Sequence, residues 1–70
     1  MMTPAILKMM KADYPGRRIQ FVAFGEPDPF PLTPGLEGTI VHVDDGGTVH
    51  VEWDNGRTLG LAWGDKYVIR

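Results

Sequence analysis

The hydrophobic pattern changes period once along the chain. Ile6, Leu7, Met10 and Tyr14 fall at helical spacing and form one apolar stripe, with Lys8, Lys11 and Asp13 mainly outside it. Thr3-Pro4 supplies the start, a hydroxyl cap followed by a proline at the first helical position, where its missing N–H costs nothing. Pro15 supplies the stop, because it pushes Tyr14 out of the α region. The spacing therefore predicts a helix over about residues 3–14. An isolated helix of this length is not stable in water, so its stripe must pack. It either closes an open side of a sheet or forms an arm that seeks a partner.

From Arg17 the period becomes two. Ile19, Phe21 and Ala23 alternate with Arg18, Gln20 and Val22, which predicts a strand over 17–24. The stretch Gly25 to Gly35, GEPDPFPLTPG, holds four prolines in eleven residues and cannot be a regular element. Such a loop is stiff, since each proline fixes its own φ and restricts its predecessor. Beyond it, strands are predicted over about 37–43, 48–53, 57–63 and 66–69. Short strands about ten residues apart, with turn residues between them, indicate a small antiparallel barrel or sandwich. Residues 1–70 read as one domain, mainly β, with a short helix in front.

Strand phase places the turns. Side chains alternate between the faces of a sheet, so apolar residues on paired strands must fall in step. A three-residue loop Asp44-Asp45-Gly46 sets Val41 opposite Val49 and Thr39 opposite Val51. By the same argument the loop Asp54-Asn55-Gly56 sets Val51 opposite Leu59 and Val49 opposite Leu61. Both match a type I turn closed by a left-handed glycine, with Asp44 and Asp54 free to accept nearby backbone N–H groups and Gly46 and Gly56 at positive φ. Trp53 follows the phase of Val49 and Val51 into the core.

Composition narrows the chemistry. There is no cysteine, which excludes disulfides, thiolate metal sites and thiol catalysis and fits a reducing cytoplasm. No stretch approaches the roughly 20 apolar residues needed to span a bilayer. A soluble, cytoplasmic chain is expected. The formal charge of -2 argues against sequence-independent nucleic-acid binding. There is no serine and no glycine-rich loop leading into a helix, so neither a hydroxyl triad nor a phosphate cradle is available. His42, His50 and Glu52 share a polar face, but two exposed histidines without a third rigid ligand read as surface residues rather than a metal site. No enzyme activity and no cofactor are expected.

The run LTPGLEGTIVHVDDGGTVHVEWDNGRTLGL, preceded by YPGRRIQFV and GEPDPFP, resembles the domain of unknown function 4314 family of short bacterial and phage proteins. The resemblance covers essentially the whole chain. It rests on Pro15-Gly16-Arg17, Pro34-Gly35, Gly38-Thr39, Asp44-Asp45 and Trp53-Asp54-Asn55-Gly56 with Leu59; the segment Ala62-Trp63-Gly64-Asp65 departs from it. It implies a five-stranded SH3-like barrel preceded by a helix and a setting in phages, plasmids or other mobile elements, and it carries no catalytic residues.

The leading expectation is a non-enzymatic module that binds an unidentified protein partner through Phe30 and Leu32 of the proline loop and through Trp63 and Tyr67, since exposed aromatics serve as contact anchors. Two other readings stand beside it. One is a phage counter-defence inhibitor, or a protein that sequesters a small signal, using the acidic surface of Asp44, Asp45, Glu52 and Asp54. The other is a weak nucleic-acid-binding barrel using Arg17, Arg18, Lys66 and Arg70. A core this small also makes a homodimer a natural expectation.

Overall fold

The computed structural model describes residues 2–27 and 32–70. One helix, α1 (Pro4–Asp13), precedes four strands, β1 (Arg18–Ala23), β2 (Glu37–Val43), β3 (Val49–Trp53) and β4 (Lys66–Ile69). The strands form one antiparallel sheet in the order β3-β2-β1-β4. Among the described residues no helix is long and apolar enough to cross a membrane.

The helix begins and ends where its local chemistry places it. Thr3 Oγ1 accepts the Ile6 N–H at 3.2 Å, and the Tyr14 N–H still reaches the Met10 carbonyl at 2.9 Å before Pro15-Gly16 turns the chain into β1. Met10 is 3% exposed, and Ile6, Leu7 and Tyr14 pack against the same core. The apolar stripe therefore docks on the chain's own sheet. In β1, Ile19 and Phe21 are buried while Arg18, Gln20 and Val22 are not, which is the expected alternation. Phe21 meets Trp53 edge to face at 6.3 Å between ring centroids, joining β1 to β3 through the core.

The first hairpin departs from strict alternation. The Asp44 N–H bonds the Thr48 carbonyl at 3.0 Å and the Gly47 N–H bonds the Asp44 carbonyl at 3.0 Å, so the three-residue loop is Asp45-Gly46-Gly47, one residue later than expected. Gly47, at φ +85, takes the left-handed position assigned to Gly46. The pairing then runs Val43 opposite Val49, His42 opposite His50 and Ile40 opposite Val51, with a bulge between Ile40 and His42. The bulge leaves Val41 48% exposed and brings both Ile40 and Val43 to the buried face, so the expected pairs Val41–Val49 and Thr39–Val51 do not form.

The second hairpin follows the expected phase. The Gly56 N–H bonds the Trp53 carbonyl at 3.0 Å, the Trp53 N–H bonds the Arg57 carbonyl at 2.9 Å, and Gly56 has φ +88. Its return segment, expected as a strand over 57–63, forms two isolated bridges, Val49 with Leu61 and Glu52 with Thr58, in the predicted register. The indole N–H of buried Trp53 donates to the Leu59 carbonyl at 2.9 Å and fastens this segment to β3. Leu61 is fully buried beneath it. Where β2 crosses β3, Gly38 is required by space: a Cβ there would lie 2.7 Å from the Glu52 carbonyl oxygen.

The shifted loop can be read from stability. Gly47→Ala should cost about 1–2 kcal/mol in denaturant unfolding, the cost of an L side chain at left-handed φ. Gly46→Ala should change stability by less than about 0.5 kcal/mol. The reverse order would return the left-handed position to Gly46.

Candidate functional site

The segment 62–67 brings two of the expected anchors together. The Asp65 N–H bonds the Ala62 carbonyl at 3.1 Å, closing a turn with Trp63 and Gly64 at its tip. The Asp65 side chain then does two jobs. Its Oδ2 accepts the Ala62 N–H at 2.8 Å, and its Oδ1 accepts the Gly25 N–H at 2.7 Å. A single carboxylate thus holds the turn shut and fastens it to the exit of β1. Charge-assisted hydrogen bonds of this kind are about twice as strong as neutral ones.

Trp63 is held out in the open by that arrangement, with 58% of its surface exposed. It forms a wall of two grooves. The first, about 580 Å³, runs between Met10 of α1, Gly47 at the tip of the first hairpin, and residues 62–67. The second, about 490 Å³, lies between the start of the proline loop, Phe24 to Pro27, and Leu59, Gly60, Ala62, Trp63 and Asp65. A flat indole between two recesses gives a partner a large apolar surface on either side.

Tyr67 lines the first groove from below. It is partly buried, and Tyr14, at the end of α1, packs against the same core. Burial, reinforced by Tyr14, pushes the Tyr67 phenol up to about 12. The other expected anchors stand elsewhere. Leu32 is 3% exposed and belongs to the core, so it cannot meet a partner from the surface. Phe30 lies outside the described residues. Asp65 was not among the expected site residues; its signal is an Asp three positions after Ala62 and directly after Gly64, a spacing that favours side-chain closure of a turn.

The acidic and basic groups at the hairpin tips are occupied with one another. Asp44 behaves as expected, its Oδ1 accepting from the Gly46 and Thr48 N–H groups at 2.9 and 3.0 Å, and its Oδ2 lies 2.9 Å from His50 Nε2. The hydrogen bond from His50, then those from the backbone, hold the Asp44 carboxyl below the usual range. Asp54 differs from expectation: its carboxylate binds Arg18 through two contacts, Oδ1 at 3.0 Å and Oδ2 at 2.5 Å, rather than the backbone of its turn. That role falls to Asn55, whose Oδ1 accepts the Arg57 N–H at 3.0 Å. Asp45 pairs with Lys11, Asp13 with Arg17, and Glu37 with Arg70 at 3.5 Å.

His42 and His50 stack face to face at 4.3 Å across the hairpin. Among the described residues no group of three or more His, Asp or Glu stands together in a way that could hold a metal ion. The phenol of Tyr67 is moved up and the carboxyls of Asp44 and Asp54 are moved down, all away from neutral pH.

The burial of Tyr67 has a pH signature. Tyr67 ionises near 10.0 when unfolded and at about 12 when folded, so its contribution to stability is complete below pH 10.0 and is lost as pH rises toward 12. Wild type should lose stability more steeply than Tyr67→Phe across that window. Parallel slopes in denaturant titrations of the two proteins would contradict the assignment.

No curated protein and no solved structure matches the chain. The family model described as a domain of unknown function, DUF4314, matches residues 3–69. With that match over nearly its full length, the chain belongs to the DUF4314 family.

Proposed function

We propose that the protein is a non-enzymatic interaction module, an SH3-like barrel that grips a protein partner with Trp63 and the grooves on either side of it. The barrel reading is supported by the bridges Val49–Leu61 and Glu52–Thr58, which extend the sheet past β3 and supply a fifth, short strand position. The observation that carries the functional reading is the combination at Trp63. A large aromatic is left 58% exposed, while the turn beneath it is clamped by both oxygens of Asp65. Exposing an indole to water forgoes the gain of burying it, and fixing its backbone removes much of the ordering cost of a later contact.

Tyr67 supports the same surface from the floor of the first groove. The start of the proline loop supports it from the second, as one rigid wall. Aromatic anchors seated between recesses carry most of the energy of many protein interfaces.

The test is a pair of variants. Trp63→Ala should keep the wild-type fold by circular dichroism and lose the partner recovered from native-host lysate, with affinity for the purified partner falling by roughly 30-fold or more, as for a hot-spot residue. Val41→Ala, which trims an exposed side chain on β2, should bind as wild type does. Equal recovery by Trp63→Ala and wild type would defeat the reading.

A further inference from the structure

The sheet ends at β4, and its outer edge is open among the described residues. The Arg70 N–H bonds the Arg18 carbonyl at 2.9 Å, and the pairing of Gln20 with Val68 continues the same ladder. In an antiparallel pair the hydrogen-bonded positions alternate, so the main-chain N–H and C=O groups of Tyr67 and Ile69 point away from β1. No described residue bonds the N–H of either. These groups are a template for one more strand.

The outer face of β4 indicates what that strand carries. Lys66, Val68 and Arg70 stand in alternation on it; Val68 is 49% exposed, and Val22 on neighbouring β1 is 43% exposed. Arg70 leans on Gln20 at 2.9 Å and Glu37 at 3.5 Å, whereas Lys66 makes no ion pair among the described residues. A second copy of the chain is a poor occupant. A two-fold axis at Val68 would satisfy the edge hydrogen bonds, Tyr67 to Ile69 and the reverse, but would set Lys66 directly opposite Arg70. Like charges directly opposite are destabilising.

We propose that β4 is extended by a strand of a partner protein whose alternate residues read acidic, apolar, acidic, the acids facing Lys66 and Arg70 and the apolar residue facing Val68. The pattern is symmetrical about Val68, so charge accommodates either strand direction. This rests on the reading of the protein as an interaction module and names the kind of segment it takes. Lys66 and Tyr67 also line the groove beside Trp63, so a strand on β4 leads directly into it.

The test uses isotope-labelled protein and the peptide acetyl-Thr-Glu-Thr-Val-Thr-Glu-Thr-amide, with a version carrying lysine in place of both glutamates. The acidic peptide should bind saturably and slow hydrogen exchange at the Tyr67 and Ile69 amides. Lys66→Glu should weaken it by about fivefold and abolish the preference between the two peptides, since one cross-strand charge pair is reversed while the other, at Arg70, is kept. Equal binding of the two peptides to wild type, chemical-shift changes confined to other surfaces, or protection of β4 by self-association without peptide would each overturn the proposal. Trp63→Ala should keep the β4 response even though it loses the full partner. Loss of the β4 response in that variant would place the peptide in the groove and refute the edge assignment.

Discussion

Every buried position of the sheet depends on keeping one face of β2 in step with two neighbours at once. Toward β3, Val43 must meet Val49 and Ile40 must meet Val51; toward β1, Gly38 must lie beside Ile19. Ile40 and Val43 are three residues apart and would point to opposite faces of a regular strand. One unpaired residue, Val41, reconciles them. It absorbs the odd spacing as a bulge, accepts exposure, and lets Gly38, Ile40 and Val43 share the core side.

That arrangement fixes what is left over for the surface. With β3 in phase, Trp53 is buried, its indole N–H is spent on the Leu59 carbonyl, and the return segment is drawn close enough for Leu61 to fill the core. The chain then has to reach β4 within a few residues, and the Asp65 carboxylate makes the connection by closing 62–65 and fastening it to Gly25. The two tryptophans therefore have opposite fates. Trp53 is a structural member, and Trp63 stands on a braced turn in the solvent. α1 completes the groove beneath it through Met10, which is buried in the core, and Tyr14 packs against the same core.

Features set by neighbours in the chain were legible in the sequence. Thr3-Pro4 and Pro15 bound the helix, and the Asp54-Asn55-Gly56 turn has only one glycine that can take positive φ. The first hairpin offers Gly46 and Gly47 side by side, and strict alternation, which has no place for a bulge, selects the earlier one. Leu32 shows a different limit. Proline chemistry makes the loop stiff but does not say which side chain turns inward, and packing against the core decided it. The bonds from Asp65 to Gly25 and from Arg18 to Asp54 join residues 40 and 36 positions apart, and no local pattern announces such contacts. Trp63 and Tyr67 were recognisable as aromatics near a strand end, but the clamp that presents Trp63 was not.

The division of labour between the two tryptophans is the central claim, and their indole N–H signals report it directly. In nuclear magnetic resonance of the free protein the Trp53 indole should exchange slowly, held by Leu59, while the Trp63 indole exchanges at close to the rate of an exposed group. On addition of the purified partner the Trp63 signal should shift and become protected while Trp53 stays as it was. A Trp63 indole that keeps its free-protein shift and exchange rate in the saturated complex would contradict the account.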